Sequence, residues 1–249
     1  AGASLALGDA QEVFPLASVT KLFTAYSALI AISRGLVTLS APAPYPGVTL
    51  EHLLSHASGM AMGERAITRP PGTRRLYSNA GIEAAADMLE EATGTEIGRW
   101  IEETIAEPLG LTSLTVEGSP AYSGYAHAED LMLFARELSR PTLISAELLD
   151  LATSVHFSHL DGIVPGYGNF RPCPWGIGAE IKGEKQAHWT APSSSGKTFG
   201  HFGQSGSFLW VDPLSGERAV FLGEEPFGPW HCDNWSDLNE EILHAMRGQ

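Results

Sequence analysis

Apolar residues recur at helical spacing through most of the chain, and this periodicity predicts its helices. The longest apolar stretch runs from Val19 to Ser33, and Gly35 follows where a glycine can end a helix. The predicted helices are residues 19–33, 49–55, 81–92, 96–106, 129–138, 146–152 and 237–246. Prolines interrupt residues 41–47, which are therefore predicted to form a loop.

The pattern changes at both ends of the chain, where short runs of apolar residues predict strands. The predicted strands are residues 3–7, 12–14, 175–181, 186–190, 198–202, 207–211 and 218–222. Strands at both ends with helices between them are typical of an α+β fold, with one antiparallel sheet built from both termini and a mostly helical insertion. We expect a single domain over residues 1–249, with a sheet subdomain of about residues 1–40 plus 165–249 and a helical subdomain of about residues 41–164.

Composition narrows the possible partners. The 249 residues are 43% hydrophobic and carry a formal net charge of −14, which would repel the phosphate backbone of a nucleic acid. No run approaches the roughly 18 apolar residues that span a membrane. Residues 1–10 show no signal peptide, which favours a cytoplasmic location but leaves secretion open. The sequence also leaves the oligomeric state open. Cys173 and Cys232 could form one disulfide or remain free thiols.

Ser18 and Lys21 lie at the start of the predicted helix 19–33, three residues apart, so they share one helix face. The serine meets the positive end of the helix dipole, and the lysine points to the same place. A buried lysine can lose its proton and then serve as a base. The pair is therefore a candidate for nucleophilic catalysis. A second Ser-x-x-Lys match, residues 194–197, lies in a polar loop and is interpreted as accidental.

Tyr77-Ser78-Asn79 follows a Pro-Pro-Gly turn and precedes the predicted helix 81–92. The tyrosine could relay a proton if neighbouring cations lower the pKa of its phenol. The Asn79 amide can donate to a substrate carbonyl and accept from an amine. The structural alternative is that Tyr77 is an ordinary half-buried aromatic residue and Asn79 a helix N-cap.

Residues 200–206 read as a glycine-rich strand edge, where a substrate backbone can approach closely. We expect backbone N–H groups at this edge to form an oxyanion hole with the N–H of Ser18. His201 lies in the same segment, although a lone histidine in a strand is more often structural than catalytic.

The three motifs in this order resemble the serine β-lactamase and penicillin-binding protein superfamily. The tyrosine of the second motif and the histidine of the third resemble its class C-like branch, which contains class C β-lactamases, D-specific peptidases and family VIII-type esterases. Other similar segments are FPLASVTKLFTAY from Phe14, LEHLLSHASGM from Leu50, PPGTRRLYSNAG from Pro70, EPLGLTSL from Glu107 and GHFGQSGSFLWVDP from Gly200.

The resemblance implies a β-lactamase/transpeptidase-like fold in which Ser18 is the acylated nucleophile and Lys21 and Tyr77 handle its proton. It implies these substrate-binding residues: Asn79, His201, Gly203 and Gln204, the last through its backbone N–H as second oxyanion donor. Neither a metal nor an organic cofactor is implied. His156-x-x-His159 is not interpreted as a metal site, since no third ligand is obvious.

His201 replaces a lysine that would supply a permanent cation for the carboxylate of a β-lactam. We therefore favour a serine hydrolase that acts through an acyl-enzyme on a small ester or a D-amino-acid amide or peptide. If His201 contacts an anionic substrate, affinity should fall as the pH rises through about 6.5. Two alternatives stay open: a β-lactamase or penicillin-binding DD-peptidase, and a non-catalytic ligand-binding protein of the same fold.

Overall fold

The computed structural model describes residues 5–248 of the chain. Its helices are α1 (Thr20–Ser33), α2 (Leu50–Leu54), α3 (Asn79–Thr93), α4 (Ile97–Ile101), α5 (Glu107–Leu109), α6 (Ala128–Glu137), α7 (Ala146–Ala152) and α8 (Pro229–Arg247). A 3-10 turn over Ala17–Val19 precedes α1, and a π-helical turn over Glu102–Ala106 joins α4 to α5. All seven predicted helices are present, and α8 begins at Pro229 rather than at residue 237. None of the helices within residues 5–248 is long and apolar enough to cross a membrane.

The strands form small antiparallel sheets. They are β1 (Val13–Pro15), β2 (Thr115–Val116), β3 (Gly124–His127), β4 (Gly162–Val164), β5 (Gly168–Phe170), β6 (Glu180–Ile181), β7 (Phe199–Phe202), β8 (Phe208–Val211) and β9 (Arg218–Phe221). The main sheet has the order β6-β7-β8-β9, a second has the order β1-β3-β2, and β4 pairs with β5. These helices and antiparallel sheets form the α+β fold that the sequence predicted.

The strand pairing differs from the expected single sheet of both termini. Among the described residues, β1 pairs with β3, with Val13 opposite His127, and the C-terminal strands pair with one another. The chain leaves β1 through Leu16, whose N–H donates to the carbonyl of Gly124 at 2.8 Å, and enters the 3-10 turn at once. This contact continues the pairing with the segment of β3 and directs the chain into α1.

Three predicted strands are absent or shortened. Of residues 3–7, residues 3 and 4 lie outside the described residues, and residues 5–7 form no strand. Residues 175–181 shorten to β6, because a turn closes from the N–H of Gly176 to the carbonyl of Ala179 at 2.9 Å. Residues 186–190 form no strand, although His188, Trp189 and Thr190 are all buried.

The main sheet is covered on both faces, as β8 shows. Leu209 and Val211 belong to the larger core around α1, whereas Phe208 and Trp210 belong to an aromatic core against α8. Successive side chains of a strand point to opposite faces, so this alternation places helices on each side of the sheet. The proposed division into sheet and helical subdomains at about residues 40 and 165 remains a proposal.

The 3-10 turn Ala17–Val19 is the point where these layers meet. It contacts β3 on one side and β7 on the other, and α1 continues from it into the larger core. Twelve residues of α1, from Thr20 to Ala31, are buried in succession, so the helix is enclosed on all sides. A side chain at its first turn is therefore held by surrounding structure rather than by its own helix.

Candidate active site

Ser18 lies in the middle of the 3-10 turn, at the entrance to α1. Ala17 before it has a φ of +44°, in the left-handed region that costs a non-glycine residue roughly 1–3 kcal/mol. The turn is anchored next to this residue, because Leu16 donates to the Gly124 carbonyl and Thr20 Oγ1 accepts from the Gly124 N–H at 2.9 Å. The backbone thus presents a half-buried Ser18 hydroxyl in a fixed direction.

Lys21 is fully buried, and its amine has three oxygen neighbours. Lys21 Nζ lies 3.0 Å from Ser18 Oγ, 2.7 Å from Asn79 Oδ1 and 2.8 Å from the carbonyl oxygen of Ala121. Burial lowers the pKa of Lys21 to about 7. A neutral amine has two N–H donors and one lone pair, so donation to Asn79 and Ala121 leaves the lone pair for the Ser18 hydroxyl.

Tyr77 donates a hydrogen bond from its hydroxyl to Ser18 Oγ at 2.7 Å. Lys21 Nζ lies 4.7 Å from the centroid of its ring, and the rings of His56 and His201 lie 4.6 and 5.7 Å away. The condition set for a proton relay, a phenol pKa lowered by neighbouring cations, is not met: burial raises the pKa of Tyr77 well above its ordinary value. Tyr77 is thus a protonated donor at neutral pH, which leaves Lys21 as the candidate base of the pair.

His201 lies on β7 and is buried. Its Nδ1 is 2.6 Å from the carbonyl oxygen of Phe202, and its Nε2 is 3.4 Å from the Tyr77 hydroxyl. Burial and the field of Lys21 lower the pKa of His201 to about 3, so the imidazole is neutral at any working pH. The expected loss of substrate affinity near pH 6.5 therefore has no imidazolium to cause it. Contact with an uncharged part of a substrate stays a prediction.

Gly203 lies against the backbone of the nucleophile. A Cβ built on it would be 2.5 Å from the carbonyl oxygen of Leu16 and 3.1 Å from the backbone nitrogen of Ser18. The N–H groups of Ser18 and of the exposed Gln204 donate to no backbone carbonyl among residues 5–248. Two free N–H groups beside the Ser18 hydroxyl suit an oxyanion hole, and that role stays a prediction.

Asn79 is the first residue of α3, and the predicted alternative that it caps this helix is not seen. The N-cap is Ser78, whose hydroxyl accepts from the N–H of Gly81 at 2.9 Å. Since Asn79 Oδ1 accepts from Lys21, the Asn79 amide nitrogen is the group left for a substrate carbonyl. The predicted substrate contact of Asn79 is thereby reduced to donation from its NH₂ group.

His56 has a place next to Tyr77 that the sequence motifs did not reveal. Its carbonyl accepts from the N–H of Leu76 at 2.9 Å, and its Nδ1 accepts from the N–H of Ser78 at 3.2 Å. It therefore holds the backbone on both sides of Tyr77, while its own φ is +57°. The signal in the sequence is only that His56 belongs to LEHLLSHASGM, one of the segments that resemble the family, and the fold alone shows what it contacts.

We expect His56→Asn to keep most of the Ser18-dependent activity and His56→Gln to lower kcat about tenfold. Asparagine tolerates the left-handed region, and its Oδ1 can replace Nδ1 as the acceptor for Ser78, whereas glutamine would place its oxygen at the position of Nε2. The measurement is kcat and KM for an ester, with the melting temperature of each variant. Equal kcat for the two variants at equal stability would show that the Nδ1 contact does not position Tyr77.

The remaining motifs lie outside this cluster. Ser194, of the second Ser-x-x-Lys match, binds Lys182 Nζ through its hydroxyl at 3.1 Å, and Lys197 is exposed. His156 contacts Glu51 at 2.7 Å. Within residues 5–248, no group of three or more His, Cys, Asp or Glu side chains could hold a metal ion. Cys173 and Cys232 are free thiols.

The fold, with a serine at the start of its central helix, defines a class: the serine hydrolases and acyltransferases of β-lactamase-like architecture. Within this class the chain belongs to the β-lactamase family, since the family model named Beta-lactamase matches residues 7–222. The family is one of serine hydrolases and acyltransferases, the class of enzymes that the sequence motifs predicted.

Three known proteins illustrate the range of this family. A solved β-lactamase structure from Mycobacterium bovis is 43% identical, with a TM-score of 0.94 over 96% of this chain and 89% of its own. The monacolin J acid methylbutanoyltransferase of Aspergillus terreus is 29% identical over 40% of this chain and 37% of its own length. A D-alanyl-D-alanine-carboxypeptidase/endopeptidase of Escherichia coli is 29% identical over 44% and 38%. The chain spans less than half the length of these two curated relatives.

Proposed function

We propose that the protein is a serine hydrolase that forms an acyl-enzyme on Ser18 and acts on a small ester or a D-amino-acid amide. The observation that carries the choice of substrate is the neutral, buried imidazole of His201 on β7. A carboxylate brought to this edge would meet no imidazolium, and the net charge of −14 disfavours anionic ligands in general. The binding of an uncharged acyl donor at this edge does not depend on a cation.

The Ser18–Lys21–Tyr77 geometry supports the following acylation. Neutral Lys21 accepts the Ser18 proton while Oγ attacks the substrate carbonyl carbon, and the N–H groups of Ser18 and Gln204 stabilise the oxyanion. As the carbonyl forms again, the bond to the leaving group breaks. The leaving oxygen or nitrogen takes a proton from the Tyr77 hydroxyl, and Lys21 restores that proton.

Deacylation repeats these steps with water as the nucleophile. Water gives a proton to neutral Lys21 as it attacks the carbonyl carbon of the Ser18 ester. Ser18 Oγ then leaves and takes a proton back from Lys21. An alcohol or amine could take the place of water, which is the reaction type in the name of the Aspergillus terreus methylbutanoyltransferase. Hydrolysis is the part we propose for this chain.

The experiment compares wild type with Ser18→Ala by intact-protein mass spectrometry after exposure to a fluorophosphonate, a penicillin and a p-nitrophenyl ester. We expect a single adduct with the fluorophosphonate and turnover of the ester, both lost in Ser18→Ala. A matched pair of substrates, p-nitrophenyl butyrate and the anionic p-nitrophenyl hemisuccinate, tests the charge preference. The neutral ester should have a kcat/KM about tenfold higher or more.

The other outcomes select among the remaining functions. Rapid Ser18-dependent turnover of the penicillin would favour a β-lactamase, which is how the structure with 43% identity is described. Release of D-alanine from a D-alanyl-D-alanine peptide would favour the peptidase, as named for the Escherichia coli relative. An absence of any adduct would leave a ligand-binding protein of the same fold.

A further inference from the structure

The Lys21 amine is oriented by two acceptors besides Ser18, and one of them is the carbonyl of Ala121. This carbonyl belongs to a turn before β3, and its position is set by the residues next to it in the chain. The Ser119 hydroxyl accepts from the N–H of Ala121 at 3.2 Å, and the N–H of Ser119 donates to Ser123 Oγ at 3.1 Å. The direction of the Ala121 carbonyl therefore depends on where the Ser119 side chain is held.

Glu83 holds that side chain. The hydroxyl of Ser119 donates to Glu83 Oε1, and Glu83 lies on α3 four residues after Asn79, on the same helix face. Asn79 supplies the other acceptor of Lys21. Both acceptors of the Lys21 amine are thus fixed to α3, one directly and the other through Glu83, Ser119 and the turn.

We propose that Glu83 is a positioning residue for Lys21: through Ser119 it fixes the turn whose Ala121 carbonyl orients the Lys21 amine toward Ser18. The inference rests on the proposed function, in which Lys21 is the base. Glu83 does not touch the substrate carbonyl or Ser18 in this scheme, and it acts only through the position and charge that Lys21 experiences.

The charge of Glu83 acts on the same amine. Other titratable groups around Lys21 are His56, Tyr77 and His201, and burial keeps all three uncharged at neutral pH. Glu83 is the charged group whose field raises the pKa of Lys21 against the larger effect of burial. Removing this charge would therefore lower the pKa of Lys21 and leave more of the amine neutral in acid.

A cation, Arg65, lies close to Glu83. Both residues line a cavity of about 270 Å³ beside α3, and Arg65 is paired there with Asp87. Asp87 pairs with the guanidinium of Arg65. The carboxylate of Glu83 therefore accepts from Ser119, and its negative charge acts on Lys21. The same cavity is lined by Glu90, whose Oε1 accepts from the N–H of Ile97 at 2.9 Å, a contact that does not lead to Lys21.

The test measures kcat, KM and their pH dependence for ester hydrolysis by Glu83→Gln, Glu83→Ala and Ser119→Ala. Glutamine keeps an acceptor for Ser119 but removes the charge. The plateau kcat of Glu83→Gln should therefore stay within about threefold of wild type, while the acid limb of its pH profile, where activity rises with pH, moves to lower pH. The alanine variants lose the link, and their kcat should fall about tenfold with KM changed less than about twofold. Glu90→Gln and Glu90→Ala are the matched controls, and the acid limb of their pH profiles should coincide with that of wild type.

Two results would overturn the inference. If wild-type activity depends on Ser18 and Lys21 while the Glu83 variants keep its kcat and acid limb, Glu83 has no part in positioning the base. If Glu83→Ala and Glu90→Ala lower kcat and the melting temperature equally, with no movement of the acid limb, Glu83 is structural only. A wild-type protein without Ser18-dependent acylation would instead refute the proposed function itself, which the Ser18→Ala comparison detects separately.

Discussion

Replacing Lys21 with methionine or arginine is expected to lower kcat/KM for an ester about a thousandfold. Methionine fills a similar volume but accepts no proton. Arginine keeps the positive charge at every accessible pH, so it also cannot act as the base. Lys21 Nζ is the amine that lies 3.0 Å from Ser18 Oγ. Neither variant places a neutral amine at that position. Similar losses for the two variants would show that the neutral state of Lys21 is the functional one.

The pH dependence of wild type follows from the same group. The pKa of Lys21 is lowered to about 7, so the neutral fraction and kcat/KM should rise about tenfold per pH unit below that value and level off above it. His201, with a pKa of about 3, stays neutral throughout, and Tyr77, with a raised pKa, stays protonated. A single acid limb is therefore expected between about pH 5 and pH 9.

Lys197→Met is the matched control for these variants. Lys197 also follows a serine at the third position, but it is exposed in the loop of the second motif match. The Lys197→Met variant should keep the activity and the pH profile of wild type. A Lys21→Met enzyme with more than about a tenth of wild-type activity, or a flat wild-type profile over this range, would contradict the role of Lys21 as base.

The local part of this site could be predicted from sequence. Lys21 follows Ser18 by three positions, and this spacing places both side chains at one helix turn in any fold that keeps the helix. The apolar residues after Lys21 also indicate that its helix is buried, which is the cause of its lowered pKa. The fold class followed similarly from the order of apolar periodicities, because these are averaged over many residues.

The charge states of Tyr77 and His201 could not be predicted in this way, since they depend on which residues from distant segments surround them. Lys21 Nζ does approach the Tyr77 ring to 4.7 Å, yet enclosure by other rings has the larger effect on the phenol. The strand pairing of β1 with β3 is a comparable case. Alternation within three residues indicates a strand but does not determine which of several edges it joins.

Gly203→Ala is expected to lower kcat about a hundredfold or more, with a smaller change in KM. The new Cβ would lie 2.5 Å from the carbonyl oxygen of Leu16, 3.0 Å from Ala17 Cβ and 3.1 Å from the Ser18 nitrogen. Two of these three neighbours are backbone atoms that cannot rotate away. The edge of β7 and the turn that carries Ser18 must therefore move apart, which would separate the N–H groups of Ser18 and Gln204 that the proposed oxyanion hole needs together.

The loss should appear in kcat because the oxyanion forms only as the reaction proceeds, so misplaced donors weaken the transition state more than the bound substrate. Gly228→Ala is the matched control: its Cβ would meet only the Pro226 carbonyl oxygen, at 3.7 Å, and activity should be unchanged. Gln204→Ala keeps the backbone N–H and should stay within about threefold of wild type. If Gly203→Ala retained wild-type kcat in a folded protein, the oxyanion would have to be held elsewhere. A large loss in Gln204→Ala would transfer the role from the backbone to the side chain.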